Sequence, residues 1–489
     1  MSKQKILFRA DGSADIGFGH VYRLLSLVHM LHKNFECIFV SHGTPEFLIK
    51  ELNEIGVSFV KVGSIQYQFP DERKAGDEVE FDMNHILNGE EIVVLDGYWF
   101  GKHYQQAVKS KGCTLAYIDD LIEEGAIADI VINHSLGISI IDYKKIAPAT
   151  CIYTGSQYCL VQLPEKFRHQ QADKNIYRQL LISMGGADPL DFTCKILDEY
   201  KDFICRFEKV IVVVGSTYQH LQKLKTRITR FLNVQILQAV PKHDLLAIMH
   251  ASPAAILSSS TIAVEYAHVG GALAVIQTAD NQKYLCKGLL ESEVALTVEK
   301  IASSSENEIV KLHMNQEKVF DSKSAERFTK LFSELEIQSN FSFIMASEEH
   351  LPITYQWAAD PLVRAYSFNQ NPIVLEEHQS WFLKKIRETN CIYLLGLWEN
   401  VIVGSLRFDV KNSNALISYL VSPLYHSKGI GRVLLAKGLD YLAQHNKNVT
   451  SATGHVMLPN IASVKIFERL GFSRTEENSH LIFSKNIYR

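Results

Sequence analysis

Short apolar runs alternate with longer amphipathic segments along the first third of the chain. The short runs are rich in β-branched and aromatic residues, and the longer segments repeat apolar residues at helical spacing. This pattern predicts strands over 5–9, 37–41, 91–96 and 114–119, and helices over 21–32 and 44–55. Strands that alternate with helices of this length are typical of βαβ units and a parallel sheet.

A second series of the same kind begins near residue 178. It predicts strands over 179–184, 209–215, 234–239, 254–257 and 272–277, with helices over 219–231 and 242–251 between them. Two consecutive α/β series of similar size indicate a two-lobed architecture with a cleft between the lobes. We therefore predict one α/β lobe over residues 1–168 and a second, nucleotide-binding lobe over 169–338.

The last third of the chain has a different pattern. A helical segment over 325–335 leads to the polar stretch 336–340, which is the best candidate for a domain boundary. Beyond it we predict a helix over 376–387, strands over 392–398, 401–408 and 415–421, then a glycine-containing loop, a helix and a final β pair. Residues 341–489 are therefore expected to form a third α/β domain.

Composition excludes several classes of protein. The chain has 489 residues, 47% of them hydrophobic, and a net charge of -4, so a broad basic face for nucleic acid is not expected. Its 8 cysteines are scattered without a CxxC pair, which is typical of a reducing compartment and gives no metal-ligand spacing. No apolar stretch approaches a membrane span of about 18–20 residues, so we expect a soluble, cytoplasmic protein without membrane or nucleic-acid partners.

A glycine-containing loop between the first strand and the first helix is the first candidate site. It carries Asp11, Gly17, Gly19, His20 and Arg23. Glycines allow a ligand to approach the backbone, and a helix start favours anions. His20 lies at that helix start, where the dipole disfavours imidazolium and leaves a neutral ring that can accept a proton. The alternative is a histidine that only bonds to the loop.

Three further polar clusters follow predicted strands in the second series. Glycines and hydroxyl residues before a helix supply exposed amides for a diphosphate, although such residues are also common as structural caps. A carboxylate one turn into the helix could reach ribose hydroxyls, and the end of a buried strand is where open α/β sheets bind ligands. The candidate substrate-binding residues here are Gly185, Gly186, Ser259, Ser260, Thr261, Glu265, Asn281 and Gln282.

The clusters occur in an order that resembles a known family. Residues 9–23, 95–98, 118–120, 182–188 and 279–282 together resemble the UDP-sugar hydrolases of pseudaminic acid biosynthesis, over about residues 1–335. The resemblance implies the two-lobed fold of nucleotide-sugar glycosyltransferases (GT-B). It also implies hydrolysis of UDP-2,4-diacetamido-2,4,6-trideoxy-β-L-altrose to the free sugar and UDP.

The same resemblance assigns roles to individual residues. It implies that His20 is catalytic without a metal, that Tyr98 and Asn281 line the same cleft, and that 259–261 with Glu265 hold the nucleotide. One departure is Gln162, which stands where the family usually has an arginine. Any role of that segment that depends on charge is therefore in doubt.

A strand, a turn and a helix opened by Gly-x-Gly form a second candidate site near the C-terminus. Amides at such a helix start suit a pyrophosphate. This segment and the one beginning at residue 460 resemble motifs A and B of the GNAT acetyltransferases, over residues 341–489. The resemblance implies acetyl-CoA as a co-substrate and no metal, with cofactor contacts at Tyr419, Leu420, Val421, Gly429, Gly431, Arg432, Asn460 and Ser463.

Residues 357–364 and 376–381 further resemble the GNAT branch that acetylates nucleotide-linked amino sugars. Two departures concern His426, which replaces a common Gln or Arg, and Phe467, which replaces the tyrosine thought to protonate the leaving thiolate. The acid is therefore unassigned. His378 and Trp381 belong either to this site or to the core.

Together these observations predict a bifunctional enzyme that acts on a UDP-linked amino sugar and acetyl-CoA. One alternative for the first two lobes is a glycosyltransferase that uses a UDP-sugar, since only the size of the acceptor distinguishes it from a hydrolase. An alternative for the last domain is action on another amino sugar, or a binding module without catalysis, which Phe467 leaves open.

Overall fold

The computed structural model describes residues 3–13, 17–43, 45–63, 82–122, 126–144, 150–168, 175–477 and 480–487. The chain divides into two compact units, Met1–Lys330 and Leu331–Arg489. Within the described ranges, no helix combines the length and the apolar character needed to cross a membrane.

The first unit begins with a parallel sheet whose central strands are almost wholly buried. In the described ranges its strands are β1 Lys5–Ala10, β2 Glu36–Ser41, β3 Ser58–Lys61, β4 Ile92–Asp96, β5 Thr114–Ile118, β6 Ile130–Asn133 and β7 Cys151–Thr154. Their spatial order is β3-β2-β1-β4-β5-β6-β7. The accompanying helices are α1 Gly19–Leu31, α2 Glu46–Glu54, α3 Lys102–Ser110 and α4 Ile140–Lys144.

The strand order places a crevice at one point of this sheet. After β1 the chain builds outward to β2 and β3, and then returns so that β4 pairs with the other edge of β1. The loops after β1 and β4 therefore leave the sheet in opposite directions. Open α/β sheets bind ligands outside the carboxyl ends of the strands at such a reversal.

A second parallel sheet of the same kind follows in the first unit. Its described strands are β8 Gln179–Ser183, β9 Lys209–Val214, β10 Val234–Gln238, β11 Ala254–Ser258 and β12 Ala272–Ile276. They lie in the order β10-β9-β8-β11-β12, so the reversal falls between β8 and β11. The helices are α5 Phe192–Glu199, α6 Lys201–Ile204, α7 Leu221–Ile228, α8 Lys242–Ala251, α9 Thr261–Val269, α10 Lys283–Glu291, α11 Val298–Ser303 and α12 Glu306–Val319.

The division between the units falls inside a helix. Helix α13 spans Ser324–Ser339, so the polar stretch 336–340 is helical up to its penultimate residue. Apolar residues recur at helical spacing through Phe328, Leu331, Leu335 and Ile337, all of which are buried. This continuous apolar stripe keeps the chain helical where polarity alone predicts a boundary. The limits 168/169 and 338/341 stay predictions.

The second unit contains a mixed sheet. Its described strands are β13 Phe341–Met345, β14 Cys391–Trp398, β15 Val401–Lys411, β16 Asn414–Val421, β17 Ser451–Met457, β18 Ser473–Glu477 and β19 His480–Asn486. They lie in the order β13-β14-β15-β16-β17-β19-β18. The helices are α14 Leu351–Ala359, α15 Pro361–Arg364, α16 Leu375–Arg387, α17 Ile430–His445 and α18 Ile461–Arg469.

Strands β16 and β17 run parallel and pair only along part of their length. Residues 414–417 pair with 451–454, whereas all of β16 pairs with residues 404–411 of β15. From Ser418 onward β16 therefore presents one backbone edge to the space that opens between it and β17. Unpaired backbone groups in such a gap can bind an extended ligand.

Candidate functional sites

His20 lies where the first helix meets the crevice between β1 and β4. Helix α1 begins at Gly19, so His20 occupies its first turn, and it is 8% exposed. Gly17 adopts a φ of 78°, a conformation that favours glycine, in the turn that precedes the helix. The structure therefore places His20 at a helix start beside a glycine turn, as predicted.

The imidazole of His20 contacts a carboxylate at the end of β4. Its Nδ1 lies 2.7 Å from Oδ1 of Asp96. An ionised carboxylate can only accept, so Nδ1 carries a proton, and the neutral form of such a ring has its lone pair on Nε2. Nη2 of Arg23 also lies 2.7 Å from Nδ1. A guanidinium nitrogen has no lone pair, so a ring protonated on Nδ1 bonds to Asp96 and only contacts Arg23.

A chain of hydrogen bonds extends from this pair to the second sheet. Arg23 donates from Nε to Asp96 at 2.9 Å and from Nη1 to Oδ2 of Asp120 at 2.7 Å. Tyr98 donates to the same Asp120 oxygen at 3.1 Å, and Nδ2 of Asn281 donates to the Tyr98 hydroxyl at 2.8 Å. Burial alone would raise the pKa of Asp120, but the Arg23 guanidinium lowers it. The carboxylate therefore stays ionised.

His134 belongs to the same cluster, although sequence reasoning did not single it out. It follows directly after β6 and is buried, and its Nδ1 has no hydrogen-bond partner within the described part of the chain. Burial, together with the charge of Arg23, lowers the pKa of His134 to about 4. Its position after a buried strand, next to the Asp119-Asp120 loop, was the available signal.

Asp11 is buried and bonded within the protein. Its Oδ1 accepts from the Ser41 hydroxyl at 3.1 Å and from the His42 amide at 2.6 Å, and Arg9 forms an ion pair with the same oxygen. These bonds fix the start of the loop after β2. Asp11 thus joins the ends of β1 and β2, and its direct contact with substrate stays a prediction.

The predicted phosphate-binding segments of the second sheet lie next to each other at the reversal between β8 and β11. Gly185 has a φ of 91°, and a Cβ there would lie 3.8 Å from Oγ of Ser258. The Ser258 hydroxyl lies 3.0 Å from that of Ser260, which precedes α9 without capping it. Gly186 is exposed and Thr261 is half-buried. The first amides of α9 are therefore near a glycine turn that admits a ligand.

Three predicted substrate-binding residues of this sheet have partners within the protein. Ser259 is fully buried; its amide donates to the carbonyl of Ile276, while its Oγ has no hydrogen-bond partner among the described residues. Glu265 forms an ion pair with Lys242. Oε1 of Gln282 accepts from the Thr278 amide at 2.8 Å. Contact between these side chains and a sugar nucleotide stays a prediction.

In the second unit the predicted pyrophosphate loop opens helix α17. Gly429 precedes the helix with a φ of 88°, which favours glycine. A Cβ at Gly431 would lie 3.0 Å from Cδ1 of Ile466, so the first turn packs closely against α18. Arg432 forms an ion pair with Glu334. The helix start, the glycines and the arginine suit the pyrophosphate of acetyl-CoA.

The β16 residues predicted to contact acetyl-CoA lie in the segment that has left β17. The Tyr419 hydroxyl donates to Oγ of Ser463 at 2.8 Å, and the Ser463 amide donates to the side chain of Asn460 at 3.1 Å. Nε2 of His426 lies 3.0 Å from the carbonyl oxygen of Val421. The structure thus connects β16 to the start of α18 across the gap.

A cavity of about 460 Å³ adjoins this segment on the side of α14 and α16, and Leu420 is part of its lining. His378 and Trp381 line it too, so the two residues belong to the pocket as well as to the packing around it. The guanidinium of Arg407 lies 4.8 Å from the Trp381 ring, and Arg364 is a second cation in the wall. Burial lowers the pKa of His378, which favours its neutral form.

Phe467 is part of the hydrophobic core under the gap. Its ring stacks on Phe483 with centroids 5.0 Å apart and contacts Phe472 edge-on. A Cβ at Gly454 would lie 2.4 Å from the Phe467 ring, so that glycine makes room for it. Phe467 packs in this core, and its ring has no acidic proton to donate. Across the described ranges, no group of three or more His, Cys, Asp or Glu residues could hold a metal ion.

Comparison with known proteins finds relatives of the whole chain and of parts of it. Residues 352–472 match the acetyltransferase (GNAT) family. An uncharacterized protein of Methanocaldococcus jannaschii is 25% identical over 97% of this chain and 97% of its own length. The UDP-2,4-diacetamido-2,4,6-trideoxy-β-L-altropyranose hydrolase of Campylobacter jejuni is 23% identical over 53% of this chain and 87% of its own length.

Shorter relatives and solved structures were also found. Spermidine N-acetyltransferase from Vibrio cholerae, solved with CoA and spermine, is 16% identical over 30% of this chain and 96% of its own, with a TM-score of 0.29. Uncharacterized proteins of Rickettsia conorii and Rickettsia prowazekii are 31% and 30% identical, over 22% and 18% of this chain and 100% and 95% of their own lengths. Over the stretch that it shares with the two Rickettsia proteins, the chain belongs to one family with them. The predictions of an α/β fold, a GNAT domain and acetyl-CoA as its co-substrate are confirmed. The chain carries a GNAT-family acetyltransferase domain over residues 352–472.

Proposed function

We propose that the chain is a bifunctional enzyme of pseudaminic acid biosynthesis. In this proposal the first unit hydrolyses UDP-2,4-diacetamido-2,4,6-trideoxy-β-L-altrose to the free sugar and UDP. The GNAT domain transfers acetyl from acetyl-CoA to the 4-amino group of a UDP-linked amino sugar. The observation that carries the hydrolase part is the His20–Asp96 bond at the crevice between β1 and β4.

The fold supports a sugar nucleotide as the ligand of the first unit. Two parallel sheets, each with a strand-order reversal, are the arrangement expected of a two-lobed nucleotide-sugar enzyme of the GT-B type. His20 lies after strand β1 of the first sheet. Gly185 and Ser260 lie after strands β8 and β11 of the second sheet. The bond between Tyr98 and Asn281 brings the two sides within hydrogen-bond reach.

The proposed hydrolysis uses the free nitrogen of His20 as a base. Nε2 takes a proton from water while the water oxygen attacks the anomeric carbon, and the bond from that carbon to the UDP oxygen breaks. Asp96 stabilises the imidazolium that forms, as the carboxylate does in a catalytic triad. The start of α9 near Ser260 stabilises the departing diphosphate. Proton transfer of this kind contributes about 10²–10⁴-fold to the rate.

The lining of the GNAT cavity favours an acetyl acceptor that carries an amine and, elsewhere in the molecule, anionic groups. Arg364 and Arg407 contribute two cations to its wall, and the Trp381 ring offers an apolar face beside them. Guanidinium groups suit the phosphates of a nucleotide, whereas Glu377, which also lines the cavity, suits an ammonium group. A nucleotide-linked amino sugar carries both charges.

The test is to incubate the purified chain with the UDP-linked 4-amino sugar and acetyl-CoA, and to follow UDP, CoA and the sugar by mass spectrometry. We expect CoA and UDP to be released and the free sugar to carry two acetamido groups. His20→Gln should abolish UDP release without affecting CoA release. His29→Gln is the matched control, since His29 lies on the same helix and bonds to Glu51. UDP release by His20→Gln near the wild-type rate would overturn the hydrolase mechanism.

A further inference from the structure

The gap between β16 and β17 contains a phenol that bonds across it. Tyr419, on the segment of β16 that has left β17, reaches Ser463 at the start of α18. Its ring contacts the Phe467 ring edge-on, with centroids 6.1 Å apart. A Cβ at Gly431 would lie 3.7 Å from Cε2 of Tyr419, so the ring is also next to the first turn of α17. The hydroxyl therefore lies between the two helix starts that border the gap.

Acetyl transfer is assisted by a proton donor near the thioester sulfur. When an amine nitrogen attacks the thioester carbonyl, the carbon–sulfur bond breaks and the sulfur leaves with a negative charge. The sulfur of a thiol with a pKa near 8.5 leaves more easily when it is protonated as the bond breaks than when it departs as a free thiolate. Phe467 carries no proton, although its ring faces the same gap from α18.

We propose that Tyr419 is the general acid of the acetyltransferase, and that it donates its phenolic proton to the sulfur of CoA as the carbon–sulfur bond breaks. Ser463 is then a positioning residue. In the structure its hydroxyl accepts from Tyr419. A serine hydroxyl can also donate, so it can turn its own proton to the phenolate that forms.

The proton balance closes without a further reactant. The amine nitrogen forms a bond to the acetyl carbon and loses one proton, and the sulfur gains one. Tyr419 gives its proton to the sulfur and regains one, through Ser463 or water, equal to the proton that the amine loses. The products are the N-acetyl sugar and CoA with a neutral thiol.

The surroundings of Tyr419 keep its phenol protonated. Burial raises the pKa of Tyr419 to about 12, although the bond to Ser463 lowers it. The phenol therefore keeps its proton over the whole range in which an amine is acetylated. Tyr419 is also part of the lining of the cavity that Trp381 and Arg407 border, so the residue adjoins the proposed position of the amine.

This inference rests on the acetyltransferase reaction, and the first arm of its test measures turnover. Steady-state rates are compared for wild type, Tyr419→Phe and the control Tyr441→Phe, with acetyl-CoA and the UDP-linked 4-amino-4,6-dideoxy sugar. Tyr441 bonds to Met345 and lies outside the cavity lining. We expect Tyr419→Phe to lower kcat about 10²-fold or more with little change in KM for acetyl-CoA. The double variant Tyr419→Phe/Phe467→Tyr, which supplies a phenol from α18, should recover part of kcat.

The second arm needs no amine, so it is independent of the proposed sugar. Bound CoA is alkylated with iodoacetamide over a range of pH, and alkylated CoA is quantified by mass spectrometry. A hydroxyl that donates to the sulfur stabilises the thiolate, so the pKa of the bound thiol should be higher in Tyr419→Phe than in wild type and in Tyr441→Phe.

The two arms separate the possible failures. Wild type that does not acetylate this sugar refutes the proposed substrate, while a thiol pKa that depends on Tyr419 still supports the acid. An unchanged thiol pKa together with a normal kcat in folded Tyr419→Phe overturns the assignment of Tyr419. A kcat that falls with no change in thiol pKa and no recovery in the double variant also overturns it, because Tyr419 would then act only on structure.

Discussion

Nδ1 of His20 and Oδ1 of Asp96 lie 2.7 Å apart at the point where the order of the first sheet reverses. One residue comes from the helix after β1 and the other from the end of β4, 76 positions apart in the chain. Asp96 fixes the tautomer of His20, and Arg23 holds the other oxygen of the carboxylate. In the proposed hydrolysis the pair is therefore an oriented base, with Nε2 as the reactive atom.

Asp96→Asn is expected to lower kcat for UDP release by about 10²–10⁴-fold. A neutral amide can donate to Nδ1 as well as accept from it, so the ring no longer keeps its proton on that nitrogen. The measurement is UDP release under saturating sugar nucleotide. Thermal unfolding of the variant is the control for folding of the first unit. A variant with normal UDP release would show that the tautomer of His20 does not matter for the reaction.

His134 is expected to make the stability of the first unit depend on pH. Its pKa is about 4 in the fold, against 6.5 for an ordinary histidine, because burial and Arg23 disfavour the charged form. Between these values the unfolded chain binds the proton and the folded chain does not. The contribution of His134 is therefore fully present above about pH 6.5 and is lost as pH falls toward 4, by about 3 kcal/mol in total.

The measurement compares thermal unfolding of wild type and His134→Gln from about pH 7 down to about pH 4.5. All other titrating groups are shared, so the difference between the two curves isolates His134. Wild type should lose stability more steeply than the variant as pH falls. Parallel curves would mean that His134 is protonated equally in the folded and the unfolded chain.

Much of the fold was predictable because buried parallel strands have continuous apolar sequences. The predicted strands over 91–96 and 114–119 correspond to β4 and β5 within one residue. Strands β3, β6 and β7 were not predicted. Each has only four residues, which is too short for a period to be distinguished from an apolar loop.

The candidate sites were predictable only in part. His20 could be identified from the glycine turn and the helix start, which are local in sequence. Its partner Asp96 and the neighbour His134 required the strand order, because they meet His20 only at the edge of the sheet. The ion pair between Glu265 and Lys242 joins residues on two different helices, which no spacing rule predicts. The position of the Tyr419 hydroxyl likewise depends on where β16 leaves β17.

UDP release is expected to persist in excess chelator. The base assigned here is an imidazole oriented by Asp96, and the proposed stabilisation of UDP comes from helix amides and not from a divalent cation. The measurement is the rate of UDP release with and without a chelator, after prior dialysis against it. Activity that disappears and returns on addition of a divalent ion would contradict this mechanism.

Gly429→Ala is expected to raise the Kd for acetyl-CoA about tenfold while UDP release is unchanged. The residue has a φ of 88°, which an alanine adopts only with strain, and a Cβ there would lie 3.0 Å from Cγ of Glu334. Both effects distort the start of α17, where the pyrophosphate is expected to bind. Isothermal titration with acetyl-CoA measures the change.

The matched control for Gly429 is Gly471→Ala. Gly471 also has a positive φ of 74°, but a Cβ there would meet nothing nearer than Nζ of Lys485 at 4.0 Å. The two variants therefore share the cost of backbone strain and differ in their distance from the proposed pyrophosphate site. Equal weakening of acetyl-CoA binding in both would show that general destabilisation, and not the loop, is responsible.

The order of the two reactions is expected to be acetylation first and hydrolysis second. Acetylation converts a strongly hydrated ammonium into a neutral amide, and a pocket shaped for the acetamido group leaves an amine poorly bonded, at a cost of about 1–3 kcal/mol. Full-length chain without acetyl-CoA should therefore hydrolyse the UDP-linked acetamido sugar about 5–150 times faster than the UDP-linked amine. The comparison uses kcat/KM for each sugar nucleotide, measured as UDP release. Addition of acetyl-CoA should bring the amine close to the rate of the acetamide in wild type but not in Tyr419→Phe. Equal hydrolysis of the two sugars without acetyl-CoA would show that the hydrolase does not enforce the order.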